Sequence, residues 1–367
     1  DASTTQLSAV TADKTQALAN GTDLITLSTK VTDAQGNILA NTDVNWSTNP
    51  ATGTLSGSST KTNAQGIATV TLSSTNVSDY VVTASTNGVS AKSSSLVFAA
   101  DAATAKISTL TADKTTGVVA GKDIVTLTAT LLDANNHPVQ GATVNWSSDN
   151  ASGIITPVSG VTNASGVVSA TLTSTLAQST VVTASAGSSQ KTLPVEFIAD
   201  ASSAKVTIVA DKTQVVANGT DAVTWSATVL DANNNPVNGA SVDWSRDNAN
   251  VTLAGSTSQT QANGTATMTG TSLKTGTAIA TATLTEQQSS AQATAVTYIA
   301  DVSTAKFNLT VDRPSVSADG QDFATYKATA MDANDNLITN TTVNWATTLN
   351  KLTASSSVTD SSGVATV

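Results

Sequence analysis

Cysteine is absent from all 367 residues, so no disulfide can staple the fold and no thiolate can serve as nucleophile or soft metal ligand. Histidine occurs once, at His137, and glutamate twice, at Glu196 and Glu286. Zinc therefore has no ligand set, and neither a Ser-His-Asp triad nor a recurring pair of carboxylates can be assembled. No residue is assigned a catalytic, cofactor-binding or metal-binding role. Lysine and arginine number 16 against 26 acidic residues, a formal net charge of −10, which argues against nucleic acid as a partner because no basic cluster is available to neutralise phosphates. No apolar run reaches the roughly 18 residues that a membrane-spanning helix needs, so this segment is not expected to insert in a membrane. Its first residues do not read as a secretory leader, and targeting elements are expected outside it. Aromatic residues make up 3% and charged residues 11%, against 39% hydrophobic. That balance describes several small aliphatic cores beneath surfaces of Thr, Ser and Asn, in a folded acidic chain expected to stay monomeric.

What the chain does have is a repeat. Trp46, Trp146, Trp244 and Trp345 recur at intervals of 100, 98 and 101 residues, each inside a Val-(Asn/Asp)-Trp tripeptide. A period near 100 is the length of a complete small domain, too long for a solenoid unit. Asp1, Asp101, Asp200 and Asp301 open the units, and Asp13-Lys14-Thr15, Asp113-Lys114-Thr115, Asp211-Lys212-Thr213 and Asp312-Arg313-Pro314 follow. A glycine turn comes next, then a strictly alternating run such as Ile25, Leu27, Thr29 and Val31 against Thr26, Ser28, Lys30 and Thr32, the signature of a half-buried strand. That strand ends each time in an Asp-Ala turn, at Asp33, Asp133, Asp231 and Asp332, where Asp and Asn are expected to bond their own backbone.

Short strands at even spacing, with no helical periodicity, predict an all-β fold: tandem immunoglobulin-like β-sandwiches arranged end to end as an elongated rod. The expected domains are 1–100, 101–199, 200–300 and 301–367. The last is incomplete, since Gly363 matches Gly66 and counterparts of 71–100 are missing, so Val367 is expected to be a boundary within a longer protein. Trp46, Trp146, Trp244 and Trp345 are expected to be structural core residues, packed not against a disulfide but against aliphatic residues such as Leu27, Val82, Leu127 and Val182. Trp225 aligns with Leu27, Leu127 and Tyr326 and reads as core filling.

Other candidates carry little chemistry. His137 lies in the Asp133 to Pro138 turn, aligned with Asn235, and reads as an exposed loop residue. Asp101, Asp200 and Asp301 invite a calcium reading at the junctions, but calcium takes six to eight oxygens and each junction reliably offers one acidic residue, so turn capping is preferred. Sequons at Asn20, Asn76, Asn163 and Asn218 are expected by chance in so Asn-, Ser- and Thr-rich a chain. The segments after the tryptophan strand (47–60, 147–161, 245–259 and 346–358) differ most between units, as unconstrained loops do. Residues 98–106 and 197–205 contain neither Gly nor Pro, so short linkers are expected to limit hinge motion. A cysteine-free β array points to bacterial export rather than an animal cell surface.

Together, the Asp-Lys-Thr motif, the Asn-Gly or Asp-Gly turn, the Asp-Ala turn, Val44-Asn45-Trp46-Ser47 and Thr62-Asn63-Ala64-Gln65-Gly66-Ile67-Ala68-Thr69-Val70 resemble the group 1 bacterial immunoglobulin-like repeat of the intimin and invasin family. The resemblance covers the whole chain and is strongest to cysteine-free, FdeC-like members. It implies the passenger of an inverse autotransporter, displayed on a Gram-negative surface through an outer-membrane barrel outside this segment. A stiff adhesin stalk is implied, with a host cell-surface or matrix protein or glycan as partner. Alternatives are that the repeats themselves bind the receptor or glycan, or that they are an accessory array of a secreted enzyme. None of the family's receptor-contacting residues carries over to these positions.

Overall fold

The computed structural model describes all 367 residues, in two compact units, Asp1–Phe197 and Ile198–Val367. In the first repeat of the first unit the strands are β1 (Gln6–Leu7), β2 (Thr11–Ala12), β3 (Gln16–Leu18), β4 (Ile25–Thr32), β5 (Asp43–Asn49), β6 (Thr54–Leu55), β7 (Ser59–Lys61), β8 (Ile67–Ser73), β9 (Ser78–Thr86), β10 (Val89–Lys92) and β11 (Leu96–Ala99). One sheet runs β1-β4-β8-β6 with β2 also on β4, and the other runs β3-β11-β9-β5-β7 with β10 on β9. An immunoglobulin-like sandwich ordinarily has about seven strands; this repeat has more segments because one edge strand is interrupted between β1 and β2 and the last between β10 and β11.

Period-two alternation is what makes the sandwich. On β4, Ile25, Leu27 and Val31 point inward and are fully buried while Thr26 and Lys30 face solvent. Tyr80, Val82 and Ala84 of β9 supply the opposing inner face, and a buried Val, Leu or Ile side chain contributes about 1.5–3 kcal/mol of transfer free energy. Trp46 of β5 sits in register with Ala84 of β9, as Trp146 does with Ala184 and Trp244 with Ala282. A methyl group beside each indole leaves room for the ring, and the three indoles are only 4–6% exposed. Leu27, Val82, Leu127 and Val182 are completely buried, so aliphatic packing occupies the region where related sandwiches carry a disulfide.

The second repeat has the same two sheets, 106–112/125–132/167–173/154–156 and 118–119/189–198/179–186/143–148/159–161. In the second unit the third repeat again builds a complete core around Trp225 and Trp244. The fourth has a three-stranded sheet, Lys306–Val311, Tyr326–Met331 and Val364–Thr366, and a two-stranded one, Thr342–Asn344 with Ser356–Val358. Its core is Ala328, Val343 and Ala365, with Trp345 packed against them, while Phe307, Leu309 and Phe323 are 55–67% exposed. Trp345 is half-buried, unlike the other three, because the alanine that flanks each of those indoles has no counterpart within 301–367.

Candidate functional site at the repeat junctions

The residues that recur most strictly converge where one repeat hands over to the next. Each repeat opens on a one-turn 3-10 helix: Ala2–Thr4, Ala102–Thr104, Ala201–Ser203 or Val302–Thr304. The opening aspartate caps it, its carboxylate accepting the N–H of Ser3, Ala103, Ser202 or Ser303 at 2.9–3.1 Å. The same residue's backbone N–H donates across 31 or 32 residues to the aspartate of the Asp-Ala turn. Asp101 N–H donates to Asp133 Oδ2 (3.0 Å), Asp200 N–H to Asp231 Oδ2 (3.0 Å) and Asp301 N–H to Asp332 Oδ2 (3.1 Å). In the first repeat the Asp1 ammonium donates to Asp33 Oδ2 at 2.9 Å.

The turn aspartate is a buried hub. Asp133 also accepts the N–H groups of Asn135 and His137, both at 2.8 Å; Asp231 accepts those of Asn233 and Asn235, and Asp332 those of Asn334 and Asn336. Closing so tight a turn puts Gly36, Asn136, Asn234 or Asp335 at φ between 62° and 82°, residue types that tolerate the left-handed region. The 3-10 turn is pinned from its other side: Ala134 N–H donates to Thr104 Oγ1, Ala232 N–H to Ser203 Oγ and Ala333 N–H to Thr304 Oγ1. Burial alone would raise the carboxyl groups of Asp133, Asp231 and Asp332, but it is outweighed by their hydrogen bonds, so all three titrate below the usual carboxylate range. Asp33 is lowered as well, first by the hydrogen bond from the Asn37 amide. Oxygens already committed to N–H donors form anion-side clamps, and a calcium ion there would have to displace those donors.

Within each unit the clamp also touches the repeat before it. His137 is not the exposed loop residue expected from sequence: its side chain is 16% exposed, with Nδ1 3.1 Å from Asp133 Oδ2 and Nε2 2.7 Å from the Thr75 carbonyl oxygen. It was misread because its second partner lies 62 residues upstream, on the loop after β8. In the second unit Asn336 takes the same place, donating through Nδ2 to Asp332 Oδ2 (2.8 Å) and to the Leu273 carbonyl (2.9 Å) and accepting Thr275 N–H (3.0 Å). Lys274 Nζ donates to the Asn334 carbonyl at 2.6 Å. The one signal for this site was that both aspartates recur in register, about 31 residues apart.

The Asp-Lys-Thr motif has a separate use. Asp13, Asp113, Asp211 and Asp312 accept the N–H of Thr26, Thr126, Thr224 and Thr325 at 2.7–2.8 Å. The following cation pairs with Asp23, Asp123, Asp221 or Asp322. Those carboxylates also accept Leu18, Val119, Val216 or Ser317 N–H, so the pair fixes the short edge segment.

A chain of β-sandwiches whose linkers are hydrogen-bonded into the following sandwich is an immunoglobulin-like tandem array. This chain belongs to the bacterial Ig-like domain (group 1) family, whose pattern it matches at residues 7–99, 107–198, 205–299 and 306–367. It is 33% identical over 384 aligned residues, its whole length, to the inverse autotransporter adhesin YeeJ of Escherichia coli K12, covering 16% of that protein. It is 39% identical over 140 residues to intimin of Escherichia coli O157:H7, covering 38% of this chain and 15% of that one. The chain thus spans less than a fifth of the length of these curated relatives. Among solved structures, the Escherichia coli adhesin FdeC aligns with 82% of this chain and 98% of its own at 19% identity and a TM-score of 0.49. Invasin aligns with 89% and 76% at 20% identity and a TM-score of 0.47.

Proposed function

We propose that this chain is a load-bearing stalk segment of an adhesin on the surface of a Gram-negative bacterium, anchored through an outer-membrane barrel outside it. Its partner, a host cell-surface or matrix protein or glycan, is engaged by the parent molecule, and the stalk itself works as a monomer without catalysis. Trp46, Trp146, Trp244 and Trp345 are structural residues in this reading. The relatives named adhesin and intimin support the class.

The observation that carries the mechanical part is the parallel pairing, in the first and third repeats, of an early edge strand with the last strand. In the first repeat β3 pairs with β11 in parallel, through Ala19 N–H to the Ala99 carbonyl and Val97 N–H to the Thr15 carbonyl. The third repeat does the same between Gln214–Val216 and Val296–Ile299. Tension enters near one strand and leaves from the other. Parallel neighbours pulled from opposite ends are sheared, so their hydrogen bonds must break together instead of unzipping singly. The clamp at the next aspartate then passes the load from the linker into the following core.

The test is exchange within the displayed parent adhesin. Replacing residues 1–300 by an unrelated immunoglobulin-like array of equal length should preserve adhesion, and replacing them by a flexible Gly/Ser linker should reduce it. Loss of adhesion with the foreign array, together with binding of the purified chain to host cells, would make the repeats the recognition modules instead.

A further inference from the structure

His137 is placed between two groups that can only accept. The Asp133 carboxylate lies 3.1 Å from Nδ1 and the Thr75 carbonyl 2.7 Å from Nε2. A neutral imidazole has one N–H. In either tautomer its lone pair would point at an acceptor oxygen at hydrogen-bond distance, a repulsive contact that an opening of the joint would relieve. Only the imidazolium, with two N–H groups, satisfies both partners. We propose that His137 is a proton-operated latch between the first and second repeats, closed when doubly protonated and loosened when neutral.

The equivalent joint of the second unit shows what the position requires. Asn336 sends the two N–H bonds of one amide to the same two acceptors, Asp332 Oδ2 and the carbonyl of Leu273, the counterpart of Thr75. An amide supplies those donors at every pH, whereas imidazole supplies the second only on gaining a proton, the one side chain whose ordinary charge change falls in the mildly acid range. Histidine here therefore converts a constitutive contact into a conditional one.

The charged surroundings are simple. Its own turn presents Asp133, the linker presents Asp101, and the strand end beside the turn carries Lys106, opposite Leu132. The loop Ser74, Thr75 and Asn76 of the preceding repeat has no titratable side chain; Asp79 follows it on the next strand, and Asp23 is paired with Lys14. The loop 163–166, packed on Pro138 through Gly166, has none either. Linkage fixes the sign: closure takes up a proton, so the closed joint is favoured as pH falls and disfavoured as pH rises, by at most tenfold per pH unit.

The full chain, with no native cysteine, can be spin-labelled cleanly after Thr69→Cys and Ser169→Cys, both exposed on corresponding strands. The distance distribution between the labels should narrow as pH is lowered from about 7.5 to about 5.5. With His137→Asn, the residue found at Asn336, the distribution should be narrow at both. Equal widths at the two pH values in the unmodified joint, or the same pH response in His137→Asn, would overturn the proposal. The ring nitrogens of the only histidine give a second readout that does not rely on a variant. They should report imidazolium wherever the joint is narrow, and a narrow joint holding neutral imidazole would contradict it.

Discussion

Four equivalent indoles have unequal surroundings. Trp46, Trp244 and Trp345 donate through Nε1 to Thr60, Ser258 and Ser357 at 2.7–2.9 Å, but the second repeat has Gly160 there, and Trp146 Nε1 is buried without a partner. The cause is one strand away: a Cβ on Gly160 would lie 2.7 Å from Val168 Cγ2, where the other repeats carry Ala68, Ala266 and Ala365. Gly160→Ser alone should therefore destabilise the second repeat. Combined with Val168→Ala it should recover, giving a coupling of about 1 kcal/mol or more in a double-mutant cycle followed by thermal melting. The third repeat makes another exchange: Trp225 replaces Leu27 and Leu127, and Gly270 replaces Leu72 and Leu172, its absent Cβ leaving space that Trp225 Cζ3 fills. Trp146→Ala should cost roughly 3–5 kcal/mol, and calorimetry should show the second repeat melting early with the others unchanged. The alternation of buried and exposed positions along these strands was legible in the sequence. The missing partner of Trp146 was not, because it depends on which residue lies across the strand, fourteen positions on.

At the scale of the element, the clamp is a linker, a one-turn helix and a tight turn organised around one carboxylate. Asp231→Ala would remove the acceptor of the N–H groups of Asp200, Asn233 and the buried Asn235, at a cost of about 1–3 kcal/mol. Hydrogen exchange should show those amides losing protection while the strand 223–230 keeps its own. The pH dependence follows from the lowered carboxyl groups of Asp133, Asp231 and Asp332. Each contributes stability that is fully present above the unfolded-state value of 3.8 and is lost as pH falls below it toward the folded value. Melting temperature should accordingly hold from neutral pH down to about 4 and drop beneath it. The turn's own Asp and Asn bonds could be read from its residues. The reach of the same carboxylate to the linker, and of His137 to Thr75, could not, since both join positions that only the folded sandwich brings together.

For the whole molecule, the repeat frame, sheet alternation and acidic surface were all present in the order of residues, because a domain-length period and a two-residue period are properties of sequence alone. The interruption of the edge strands was not. The four hydrophobic cores are separate, and each of the first three lies between the sheets of its own repeat, two in the first and second and three in the third. In the stalk proposed above, each complete repeat unfolds on its own under tension. Stretching single copies of the full chain tests it most directly. About 100 residues released from a folded length of roughly 40 Å should give steps of about 300 Å, one for each of the first three repeats. A single concerted rupture of the entire chain, or smooth extension without steps, would contradict it.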